Sequence, residues 1–173
     1  MNELTPPVNE HDHMQGQIDA EFVLIEYGDY ECPHCAAAHP VVKALQAGLG
    51  ERLCFVYRHF PLIEIHPYAE QAAEAAEAAG AQNHFWKMHD TLFENSPELD
   101  YQHLVAYAQI TGLDVARFTQ DLTNRRYLLQ VHEDMQSGVH SGVKGTPTFF
   151  INGARYRGAY DLESLMDALQ VAQ

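Results

Sequence analysis

Two cysteines separated by two residues, Cys32-Pro33-His34-Cys35, follow closely on the apolar run Phe22-Val23-Leu24-Ile25. A strand would then feed a helix that carries both thiols one turn apart, a spacing suited to thiol-disulfide chemistry. By the chain-entropy argument a disulfide over four residues adds only about 2 kcal/mol, so its use lies in reactivity rather than in stapling. With Cys32 at the helix N-terminus, unpaired N–H groups and the positive end of the helix dipole favour thiolate over thiol. Pro33 suits the first helical position, where its missing donor costs nothing. His34 brings a donor or a positive charge beside the sulfur, which stabilises the reduced form and makes the disulfide a better oxidant. Cys35, deeper in the helix, is expected to be the buried, resolving thiol. Asp29 and Glu31 oppose part of this, so the pKa of Cys32 is expected to be depressed but not extreme.

Spacing alone leaves a second reading open, because zinc sites use the same cysteine pair. Such a site needs two more soft or imidazole ligands, and nearby histidines such as His39 are the candidates; no metal ligand is assigned here. The remaining cysteine, Cys54, sits in the apolar run Leu53-Cys54-Phe55-Val56-Tyr57 and reads as a small buried filler. A c-type haem site requires histidine where the chain has Ala36.

A second motif lies far along the chain at Gly145-Thr146-Pro147-Thr148-Phe149-Phe150-Ile151-Asn152-Gly153. Proline cannot donate to a sheet ladder, so Pro147 at the entrance of a strand that ends in an Asn-Gly turn is a specific placement, and a cis Thr146-Pro147 bond would account for it. With both motifs present, the chain resembles the thioredoxin superfamily, and within it the DsbA-like thiol-disulfide oxidoreductases, whose active-site tetrapeptide faces a cis-proline loop. The segments Tyr27-Gly28-Asp29-Tyr30-Glu31-Cys32-Pro33, Tyr57-Arg58-His59-Phe60-Pro61-Leu62 and Gly142-Val143-Lys144-Gly145-Thr146-Pro147 are similar to a prokaryotic group with some members fused to sodium/proton antiporters. No antiporter segment is expected in these residues.

The resemblance implies a protein disulfide oxidoreductase without a cofactor, with Cys32, Cys35, Pro33, His34 and Glu26 catalytic and with Thr146 and Pro147 binding substrate. Glu26 matches the position of the superfamily's buried acid, suited to taking the proton of Cys35. Thr146 would offer its backbone to an extended substrate and its hydroxyl to the Cys32 thiolate. The partners implied are protein or peptide thiols and disulfides and a redox recycling partner. On the residues alone, Glu26 also reads as a solvent-facing strand residue and Thr146 as a plain turn residue. For the whole chain, a CxxC metal-binding module and a non-catalytic thioredoxin-fold adaptor remain as alternatives.

These residues need an α/β frame. The pattern predicts strands over 22–28 and 52–60, a helix over 33–49, and an Ala/Glu-rich helix from Ala69 that continues past Gly80 through Phe85, Met88 and Leu92. Three further helices follow between Glu98 and His140, with Asp114 and Asn124 as N-caps. A hairpin through Asn152-Gly153 and a helix capped by Asp161 close the chain. The result is a thioredoxin fold with a mixed four-stranded sheet flanked by helices: a flexible N-terminal tail over 1–17, a core over 18–66 and 141–173, and an all-helical insertion over 67–140.

With 173 residues, 46% of them apolar, one unit with a sizeable core is expected. Ten basic against 24 acidic residues give a net charge of −14, which argues against nucleic acid as a partner. No apolar run is long enough to insert into a membrane, and the polar start, with its first basic residue at Lys43, places the chain in the cytoplasm, with export from a longer precursor as the alternative.

Overall fold

The computed structural model describes residues 3–172. Strands β1 (His13–Gln15), β2 (Phe22–Gly28), β3 (Leu53–His59), β4 (Thr148–Ile151) and β5 (Ala154–Arg155) form one sheet in the order β1-β3-β2-β4-β5. The central pair β2 and β3 is parallel, linked by helix α1 (Pro33–Leu49), and the remaining pairings are antiparallel. The central strands bury both faces, so β3 carries seven buried residues in succession instead of an alternating pattern. On one face Leu24, Phe55, Tyr57 and Phe149 pack against Ala38, Val42 and Leu45 of α1. Leu165 and Leu169 of the last helix, α7 (Leu162–Val171), join the same cluster. On the other face Ile25, Tyr27, Cys54, Val56 and Phe150 form a second cluster with Leu4, Phe60 and Val143.

The helices between β3 and β4 are α2 (Ala69–Gly80), α3 (Phe85–Glu94), α4 (Tyr101–Ile110), α5 (Val115–Thr123) and α6 (Leu128–His140). The expected continuation past Gly80 does not occur. The chain turns instead at Asn83, whose φ of 62° no helix accommodates, and restarts at Phe85. Asp114 and Asp161 cap α5 and α7 through Arg117 N–H and Ser164 N–H. Asn124 is the C-cap of α5 rather than an N-cap, and α4 is capped by Asp100, whose carboxylate accepts from Gln102 and His103 N–H. At the hairpin both Asn152 and Gly153 take positive φ, 48° and 83°, as a tight two-residue turn requires.

The four-stranded count and the free N-terminal tail are corrected by the structure, with residues 1 and 2 of that segment outside the described residues. Residues 13–15 form a fifth strand on β3, with Met14 opposite Val56. The anchor is Arg58, only 3% exposed, whose guanidinium donates to both carboxylate oxygens of Asp12 at 2.7 and 2.8 Å and to the carbonyls of Pro6 and Pro7. His13 Nε2 adds a contact of 2.7 Å to the buried Glu77 carboxylate on α2, and Leu4 is itself buried. A polar segment with two prolines has no local signal for a strand; its order comes from charges elsewhere in the chain.

Candidate active site

Strand β2 ends at Gly28 and α1 begins at Pro33, and the short turn between them holds Cys32. Asp29 organises this turn from a buried position, its Oδ1 accepting from Glu31 N–H at 2.8 Å and Cys32 N–H at 3.1 Å. Its Oδ2 accepts from Leu62 N–H and contacts His66 Nδ1, each at 2.8 Å. The backbone is thereby set so that Cys32 is the N-cap residue of α1 and exposed Pro33 opens the helix.

Across the turn stands the loop before β4, where the Thr146-Pro147 peptide is cis. Cys32 Sγ lies 3.5 Å from the Thr146 carbonyl oxygen, so the motifs more than a hundred residues apart in sequence meet at this sulfur. Cys32 and Cys35 are both free thiols, 3.9 Å apart. Cys35 is fully buried and Cys32 is only 3% exposed. The Asp29 turn and the Thr146 loop close around it from two sides.

The electrostatics separate the two thiols. Cys32 is pulled down to about 5, first by a hydrogen bond from the Cys35 thiol, then, against the opposing effect of burial, by the Thr146 side chain and the N–H groups of Cys35 and His34. Thr146 Oγ1 is buried and has no hydrogen-bond partner of its own. Cys35 is pushed well above its ordinary value by burial, by its bond to Cys32 and by the charge of Glu26. Glu26 itself, 2% exposed on β2 between Tyr57 and Phe149, is raised to about 8 by burial and by the Cys32 charge, and its Oε1 has no hydrogen-bond partner. It is therefore not a solvent-facing strand residue.

Cys32, Cys35, Glu26, Thr146 and Pro147 thus converge. The ring of His34 does not join them: it is exposed, and its Nδ1 meets the Tyr160 hydroxyl at 3.2 Å, so His34 acts on Cys32 through its backbone N–H. Two further residues, Asp29 and His66, shape the surroundings of Cys32. Asp29 reads in the sequence as a charge opposing the thiolate, although an aspartate three residues before an N-terminal helix residue is a recognisable turn signal. His66, paired with Asp29, is raised despite burial and feels the Cys32 charge. Among the described residues, neither of the two side-chain groups spaced to hold a metal ion includes Cys32 or Cys35.

A sequence profile described as Thioredoxin matches residues 8–171. The chain belongs to the thioredoxin family. Among curated proteins it is similar to the Na(+)/H(+) antiporter NhaA 1 of Salinispora arenicola, with 44% identity over 171 residues covering 98% of this chain and 26% of that protein. The chain therefore spans about a quarter of the length of that relative. Among solved structures, a thioredoxin-like oxidoreductase from Silicibacter pomeroyi matches at a TM-score of 0.83 and 25% identity, covering 95% of this chain and 93% of that one. Alpha-DsbA1 from Wolbachia pipientis matches at 0.81 and 22% identity, over 98% of this chain and 94% of its own, which shows a shared fold. The fold is thus the thioredoxin fold in its DsbA-like form, and no helix among the described residues is long and apolar enough to cross a membrane.

Proposed function

We propose that the chain is a thiol-disulfide oxidoreductase that exchanges disulfides with protein or peptide thiols through Cys32 and Cys35. The carrying observation is the asymmetry of the pair: Cys32 lowered to about 5 beside the Thr146 carbonyl, next to a buried Cys35 held as a thiol.

In the oxidised protein a substrate thiolate attacks Cys32 Sγ; the Cys32–Cys35 bond breaks and Cys35 leaves with the electron pair. Its sulfur is buried and takes up a proton, for which the Glu26 carboxyl, raised to about 8, is the neighbouring source. A second substrate thiolate then attacks the substrate sulfur of the mixed disulfide and Cys32 departs as a thiolate, a good leaving group because its pKa is low. Two substrate thiols are thereby oxidised and two enzyme cysteines reduced. The reverse sequence reduces a substrate disulfide. A recycling partner restores the starting state, and its potential sets the direction.

The Thr146 backbone beside Cys32 suits an extended substrate chain bound by strand-like pairing. The test is turnover: insulin reduction and oxidative refolding of a reduced protein, with Cys32→Ser abolishing both. Full activity in that variant rejects the proposal. Equilibration against glutathione then gives the reduction potential and with it the favoured direction.

A further inference from the structure

One turn beyond Cys35, α1 places His39 against α3, where His89 and Asp90 stand side by side. His39 Nε2 and Asp90 Oδ1 approach to 3.5 Å, yet both atoms are buried and neither makes a hydrogen bond. His39 is 8% and His89 2% exposed, and one ligand atom from each of the three residues lies within 4.8 Å of the others. Leaving two buried polar atoms facing each other without a bond is costly, about 1–3 kcal/mol for each group. A bound cation removes that cost, because both atoms offer a lone pair.

We infer that His39, His89 and Asp90 bind one transition-metal dication of the zinc class, joining α1 to α3 beside the redox helix. Two imidazoles and one carboxylate form a borderline nitrogen and oxygen donor set that suits zinc, with a fourth position for water. Zinc bonds of about 2.0–2.1 Å put tetrahedral ligand atoms roughly 3.4 Å apart, close to the separation of His39 and Asp90. The Tyr30 hydroxyl meets His89 Nδ1 at 2.9 Å and fixes that ring, the support that metal-bound histidines ordinarily have.

The charges around His39 are compatible with a dication, since Asp90 and Glu94 bring two negative charges and Lys43 one positive. The positive charges of His13, His59 and Lys43, where present, also act on His89. Lys43 Nζ holds the other oxygen of Asp90 at 2.8 Å, leaving Oδ1 without a hydrogen bond. The second group of suitable spacing, Glu98, Asp100 and His103, differs in kind: it is more exposed, and its histidine is already paired with Asp100 at 2.5 Å.

The test uses the full chain with Cys32 and Cys35 oxidised to their disulfide, so that the active-site thiols cannot bind metal. After chelation and desalting, zinc is titrated against a chromophoric indicator, and cobalt is read by its visible absorption. The expected result is one equivalent per chain with a tetrahedral cobalt spectrum free of thiolate charge transfer. His39→Ala and Asp90→Asn should each weaken binding by more than about 10-fold, and Tyr30→Phe by about 10-fold through the lost support. Asp90→Asn alters a partly exposed side chain, so it reports even if the buried His39→Ala variant folds poorly. No binding by the oxidised chain overturns the inference, as does stoichiometric binding that survives Asp90→Asn. Neither outcome bears on disulfide exchange, which is assayed separately.

Discussion

Asp29 holds together the cysteine turn, the loop after β3 and His66 through a single carboxylate, and the thiolate forms inside that frame. The alkylation rate of the reduced protein should rise with pH to a half-maximum near 5, the value the Cys32 surroundings support. His34→Ala should leave that midpoint in place, because its ring faces Tyr160. Thr146→Val should raise it by about one pH unit, since a hydrogen bond to a charged group is worth about 1.5–3 kcal/mol. A midpoint above 8 in the unmodified protein contradicts this account of Cys32. Glu26 gives the opposite sign. It ionises near 4.5 when free and about 8 when folded, so between those values the folded state keeps a proton that the unfolded chain has released. Stability therefore falls as pH rises through this window, by roughly 3 kcal/mol at pH 7. Glu26→Gln should flatten the dependence of urea unfolding between pH 4.5 and 8 while slowing turnover. Parallel wild-type and variant curves would mean that the carboxyl ionises normally.

At the level of elements, what the sequence makes legible is what is written locally. The apolar run of β2, Pro33 at the first turn of α1, Asp114 and Asp161 before their helices and the Asn152-Gly153 turn each act within a few residues, and each element lies where its residues indicate. The thiol pair and the proline loop are legible for the same reason. What escapes is non-local: β1 has three residues and owes its position to Arg58, Glu77 and β3, all at least forty residues away in the chain. The same holds for Asp29, half of whose bonds reach the segment around Leu62 and His66. Arg58→Ala leaves Asp12 buried without its partner, and breaking such a pair typically costs about 3–5 kcal/mol. The variant should unfold at lower denaturant and be cleaved first within residues 3–17 under limited proteolysis. An unchanged midpoint and cleavage pattern would assign the anchoring to the apolar contacts of Leu4 and Met14 instead. Glu77, lowered to about 2 despite its burial by the hydrogen bonds of His13 and His59, adds stability that is lost as pH falls from its ordinary range through that value.

For the molecule as a whole, the sheet separates two apolar interiors of different character. One side contains Cys32, Cys35 and their polar neighbours, while the other side is sealed by the N-terminal segment and α6 and contains Cys54 with no exposed surface. Burial raises the thiol of Cys54, whereas Cys32 is ionised at neutral pH. A chromogenic disulfide reagent added to the reduced native chain should therefore release two equivalents of dye in one rapid phase, as Cys32 is attacked and Cys35 closes onto it. The third equivalent should emerge only with denaturant, along the unfolding curve. Cys54 thus serves as a built-in gauge of global opening, and its segregation leaves Cys32 and Cys35 no odd thiol with which to scramble.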